Sequence, residues 1–171
     1  QAASSVADAT SPAVSSFSLD MDARELTLSF DEAVNASSAE PSVIVVQNGT
    51  SRGSVWSYVT LEGATGSTNN GGSVTVSFSE EVADMLKIRT GLATFADDTF
   101  IAFSSSLIED MNGNPATARA DGSALGAATY VADDTAPTLV SFEALMPDQS
   151  YKGINLRLSF SEAVDLSTLN V

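Results

Sequence analysis

The block Leu26-Thr-Leu-Ser-Phe-Asp-Glu-Ala-Val34 returns later in the chain as Leu156-Arg-Leu-Ser-Phe-Ser-Glu-Ala-Val164. Within each copy Leu, Leu and Phe fall on every second residue, with polar residues between them. That is the period of a half-buried β-strand, one face in a core and the other in water. The flank repeats as well: Val6-Ala-Asp-Ala-Thr-Ser-Pro12 matches Val131-Ala-Asp-Asp-Thr-Ala-Pro137, and Phe17 then matches Phe142. A five-residue insertion near Gln149–Gly153 reconciles the two offsets. Two matched blocks in the same order define a tandem repeat, which constrains the fold more than any single strand does.

The repeat sets the expected boundaries. Residues 1–7 match the stretch before the second linker and are expected to be the last strand of a preceding repeat. Residues 8–132 make one complete repeat. Residues 133–171 supply the first strands of a following, incomplete one, so the chain is expected to be a window from a longer array. A two-stranded fragment is marginal alone in water.

Between the copies, short apolar runs alternate with turn signals. Strands are predicted at Val14 to Leu19, Arg24 to Glu32, Val43 to Gln47, Val55 to Leu61, Val74 to Phe78, Thr99 to Phe103, Ser106 to Glu109 and Ala124 to Val131. Ser37-Ser-Ala-Glu40 has capping-box spacing and predicts a short helical turn. Ser79 can cap a helix with Glu80 and Glu81 at its positive end; Val82, Met85, Leu86 and Arg89 fit one short helix, and Gly91 can end it. Gly63 to Gly72 and Asp110-Met-Asn-Gly-Asn-Pro115 are predicted as a loop and a turn. The pattern predicts an all-β, antiparallel β-sandwich with one short crossover helix.

Composition narrows the chemistry. Among 171 residues, Lys plus Arg total 7 against 22 Asp plus Glu, a formal charge of −15. Nucleic acid and anionic membranes need basic patches, so neither is an expected partner. No apolar run is long enough to span a bilayer. The chain has no histidine and no cysteine, which removes Ser-His-Asp triads, thiolate nucleophiles and ordinary zinc sites. The adjacent pair Asp97-Asp98 points to opposite faces of a strand or into solvent, not toward one glycosidic bond. An enzyme is not expected.

The linker Asp133-Asp-Thr-Ala-Pro137, the strand Leu158-Ser-Phe-Ser-Glu-Ala-Val164 and the turn Asp110–Pro115 together resemble bacterial-type immunoglobulin-like repeats of the surface-layer-protein kind. The resemblance covers nearly the whole chain, through short structural motifs. It implies an immunoglobulin-like sandwich in a tandem array, built into stalks, fibres, surface coats or adhesins outside the cell. Its partners would be neighbouring repeats or copies of the same protein, and it brings no shared catalytic residues.

Three sets of candidate residues follow. No cofactor is required by any of them, but calcium takes several oxygen ligands from loops. Asp133 and Asp134 at the joint, with Glu162 and the Asp110, Asn112, Asn114 turn, are the candidate calcium ligands. The same turn is better explained by Asn-Gly backbone geometry alone, and its EF-hand spacing fails because Pro115 replaces the required glycine. Trp56 and Tyr58 alternate on one strand. In one register they form an exposed shelf for a sugar ring or a neighbouring domain; in the other, Trp56 lies in the core. Asn35 and Asn48 head N-glycosylation triplets if the source is eukaryotic. The expected function is a structural repeat of an extracellular fibre, stalk or surface protein; the alternative is an adhesin module that binds glycan or protein, with calcium.

Overall fold

The computed structural model describes residues 7–54, 57–145 and 154–169. The expected strand at residues 2–6, the insertion near Gln149–Gly153, and Val55 with Trp56 lie outside the described residues. The chain divides into two compact units, Gln1–Asp133 and Asp134–Val171.

The first unit is built on the hairpin that the repeat singled out. Strand β1 (Val14–Asp20) pairs antiparallel with β2 (Glu25–Asn35). Every second residue of β2 turns inward: Leu26, Leu28, Phe30 and Val34 are buried while their neighbours are not. Arg24, with φ of 58°, makes the left-handed turn between the two strands. Strand β3 (Val45–Gln47) pairs with β4 (Tyr58–Thr60), and β5 (Thr65–Gly66) with β6 (Gly71–Ser77). Helix α1 (Glu80–Lys87) follows, then β7 (Phe100–Ala102), β8 (Glu109–Asp110), β9 (Leu125–Gly126) and β10 (Thr129–Val131).

These strands form two sheets. One runs β10-β1-β2-β6-β5, with β8 added at the end of β2; the other runs β4-β3-β7-β9. Their buried residues, among them Leu26, Val74 and Val76 from the first sheet and Val46, Val59 and Ile101 from the second, join in one apolar cluster. The result is mostly β with a single α-helix, consistent with an all-β sandwich. Burying one shared face is what makes two half-apolar sheets stable. Helix α1 forms with the expected cap: Ser79 Oγ accepts from Val82 N, and Glu80 and Glu81 lie in the first turn; Val82 and Leu86 are buried with Ala83, whereas Met85 is exposed, and the helix ends at Lys87, before Gly91.

Several local expectations are corrected. The helical turn is a 3-10 turn at Ala36–Ser38 capped by Asn35, two residues earlier than the capping-box spacing suggested. Gly63 to Gly72 is not all loop, because β5 and the start of β6 lie in it. Ser105–Leu107 is a 3-10 turn rather than strand. Ala124 to Val131 is not one strand: β9 belongs to the second sheet, and β10 crosses to the first. There it pairs parallel with β1, so the sandwich is not purely antiparallel.

The second unit is one hairpin, β11 (Leu139–Leu145) with β12 (Asn155–Phe160), followed by a 3-10 turn at Leu166–Thr168. It reproduces β1–β2 in detail. Leu139 pairs with Phe160, Phe142 with Leu158 and Ala144 with Leu156, as Val14 pairs with Phe30, Phe17 with Leu28 and Leu19 with Leu26. The register slips at the same place in both, between Val14 and Ser16 and between Leu139 and Ser141. The closing hydrogen bond Asp31 N to Ala13 O returns as Ser161 N to Thr138 O. Asp165 caps its turn through Ser167 N just as Asn35 does through Ser37 N.

Candidate functional site

The acidic residues gather at the far end of β2, where Phe30 gives way to Asp31 and Glu32. Along β2 the inward positions run Leu26, Leu28, Phe30, Glu32, Val34, so Glu32 occupies a place the strand period reserves for an apolar side chain. Strand β8 pairs here, Val34 opposite Asp110. The linker residue Asp8 comes to the same spot. The carboxylates of Asp8, Glu32 and Asp110 lie within 4.8 Å of one another, the one group of three that could hold a metal ion among the described residues.

Asp110 is the fixed member. It is 2% exposed, and its carboxylate accepts from Asn112 N at 2.8 Å, Asn114 N at 2.7 Å and Asn114 Nδ2 at 2.7 Å. Burial pushes its pKa up, but the hydrogen bonds from Asn114, Asn112 and Gly113 outweigh it and hold the group below the usual carboxylate range. Gly113 takes φ of 87°, which lets this turn close. Asn114 Nδ2 also donates to the Asp8 carbonyl at 3.1 Å, tying the linker to the turn. Glu32 behaves oppositely. Its pKa is raised, first by desolvation and then by the charges of Asp8, Asp110 and Asp31. Three carboxylates this close repel unless a proton or a cation intervenes.

The candidate calcium ligands are thus partly regrouped. Asp110 is in the cluster, and Asn112 and Asn114 shape it by donating to Asp110. Asp133 instead forms an ion pair with Lys87, Asp134 is exposed, and Glu162 is half-buried in the second unit. The residues missed are Asp8 and Glu32. They are the sequence counterparts of Asp133 and Glu162, but Glu32 lies within β2, whereas Glu162 falls two residues past the end of β12.

Of the aromatic pair, Tyr58 is described. Val59 and Leu61 are buried, so Tyr58 points to the other face of β4. The Arg52 guanidinium lies over its ring, 5.1 Å from the centroid, and Asp121 holds Arg52 at 3.6 Å. Asp121 is kept below its ordinary pKa chiefly by the Arg52 backbone N–H. One face of the Tyr58 ring is therefore covered by a cation. Asn48 is exposed, whereas Asn35 is half-buried and spends its side-chain oxygen on the cap of Ser37.

Among the described residues no helix is long and apolar enough to cross a membrane. Comparisons with protein-family models, with curated proteins and with solved structures each return no match.

Proposed function

We propose that this chain is a structural immunoglobulin-like repeat of an extracellular, multi-repeat fibre, stalk or cell-surface protein, joined covalently to others of its kind. The observation that carries this reading is the second hairpin, which matches the pairing of β1 with β2, with the same slip in register and the same kind of cap. A repeat of this kind works through packing and through its joints rather than through a catalytic site, in keeping with a chain that has neither histidine nor cysteine. Stretching single molecules between the chain ends tests it. The first unit is expected to unfold in one event releasing the chain from Val14 to Val131. Stepwise yielding without a resisting event would remove the mechanical role.

A second reading is favoured by the Asp8, Glu32 and Asp110 group: the joint takes up calcium, and the module belongs to a calcium-dependent adhesin. Asp8 belongs to the linker, whereas Glu32 and Asp110 belong to the sandwich, so a divalent ion there would clamp one to the other. Melting the protein with Ca²⁺, with Mg²⁺ at equal ionic strength and with chelator separates binding from screening. Specific binding raises the melting temperature with Ca²⁺ alone, and Glu32→Gln removes the gain. Equal effects of the two ions would leave only charge screening.

A further inference from the structure

In the second unit the hairpin keeps the apolar face of its counterpart but not its cover. Phe142 is 70% exposed and Leu156 64%. Beneath β12 lies a groove of about 570 Å³, walled by Leu156, Leu158, Phe160, Val164, Leu166 and Leu169. In the first unit the matching positions are Leu26, Leu28, Phe30, Val34, Ala36 and Ala39, of which all but Ala39 are buried. The β5–β6 hairpin closes that end. Strand β6 pairs along β2, Leu26 opposite Val76 and Leu28 opposite Val74. A Cβ added to Gly66 would come within 3.2 Å of Ala39 and 3.6 Å of Val74, so the three pack directly together. Strand β12 pairs with β11 and has no second strand partner among the described residues.

We infer that the free edge of β12, with the groove beside it, is a docking site for one antiparallel β-strand of the β6 type. That strand carries valine at alternate positions, serine, threonine or glycine between, and no charge. The inference rests on reading the two hairpins as the same element of a repeat. The chemistry follows from register. A strand laid antiparallel on β12 satisfies its free backbone groups and turns its alternate side chains into the groove, as Val74 and Val76 turn into the core beside Leu28 and Leu26. Charged residues on that face would be buried without partners. Leucines at 166 and 169 stand where the first unit has alanines, so the groove selects small residues opposite them, as Gly66 is small opposite Ala39.

The test titrates a synthetic peptide with the sequence of residues 69–79 into the full, isotope-labelled chain and follows backbone amides by NMR and hydrogen exchange. Saturable shifts are expected at residues 155–160 and 164–169, with exchange in β12 slowed by about tenfold or more and β2 unchanged. A peptide carrying Val74→Asp and Val76→Asp should have no effect. Leu158→Asp in the chain should abolish the response; because that change can also loosen the hairpin, Leu166→Asp, outside both strands, is the second variant and should do the same. Absence of saturable shifts, an equal response to the aspartate peptide, or a response in β2 overturns the inference. So does protection of the β12 amides by self-association without peptide. None of these outcomes alters the unfolding event of the first unit, so a failed docking leaves the structural-repeat reading standing.

Discussion

Phe17 and Phe142 occupy the same place in the same hairpin, each opposite a leucine one residue after a slip in register. One is 1% exposed and the other 70%. Similar local patterns therefore produce the same hairpin pairing and opposite burial. The strand, its partner, its bulge and its cap are specified within some thirty residues. Burial is specified by the β5–β6 hairpin and the second sheet, which among the described residues only the first unit has. A β-strand that looks like core in sequence becomes core only when another layer arrives to cover it.

The sharpest way to break this comparison is to truncate both rings. Phe17→Ala should cost about 3–5 kcal/mol in urea unfolding of the first unit, through lost burial and the cavity left behind. Phe142→Ala should change the same transition by less than about 0.5 kcal/mol, because its ring gains little from the fold. Comparable losses would mean that the second hairpin is packed after all.

Asp110→Ala comes next. It strips the turn of the acceptor for Asn112 and Asn114, and should lower the melting temperature by several degrees at neutral pH. The sign of the pH effect is fixed. The folded pKa lies below the unfolded one, so the stabilisation is present above the unfolded value and is lost as pH falls through the folded one. The variant and parent should therefore converge in strong acid. A gap that persists there would assign the effect to packing rather than to the charged hydrogen bonds.

Glu32→Gln should move stability the other way by a smaller amount. The raised pKa of Glu32 means that its charged form is disfavoured on folding. The parent then gains stability as pH falls toward the unfolded value, and that gain is lost as pH rises through the folded pKa. In chelator at neutral pH the variant should melt slightly higher than the parent, with the difference fading on acidification. A lower melting temperature in chelator would show that the three carboxylates are not in conflict. The smallest effect is expected at Thr27→Ala, on the outward face of β2, at less than about 0.5 kcal/mol. A cost matching Phe17→Ala would reverse the assigned face of the strand.

The candidate site shows how far pattern reading reaches. The turn at Asp110 is legible from Asn112-Gly113-Asn114, since positive φ at Gly113 is a local demand. An acidic joint is legible from the linker motif. Its membership was not: Asp8, Glu32 and Asp110 are far apart along the chain, and only the pairing of β8 with the end of β2 brings them together. Asp110 lies beside Asp8 of the first linker, while Asp133 of the second pairs with Lys87. Sequence spacing favours neither, because both linkers carry the same motif. Asp133 goes to Lys87 on α1, a pairing set by where the helix lands.

By itself the sequence determined the period-2 strands, the return of the Leu26–Val34 block at Leu156–Val164, the cap of α1 at Ser79, the acidic balance and the lack of histidine and cysteine. Each depends on residues within one or two turns of the chain, or on composition. The tertiary structure decided that β10 lies parallel to β1, that Ala124 to Val131 splits between two sheets, that Arg52 covers Tyr58, and that one of two matching hairpins is buried. Those outcomes depend on which distant segments meet. The local pattern of hydrophobic and polar residues fixes the face a strand offers, but the identity of what covers that face is a long-range choice that the pattern does not encode.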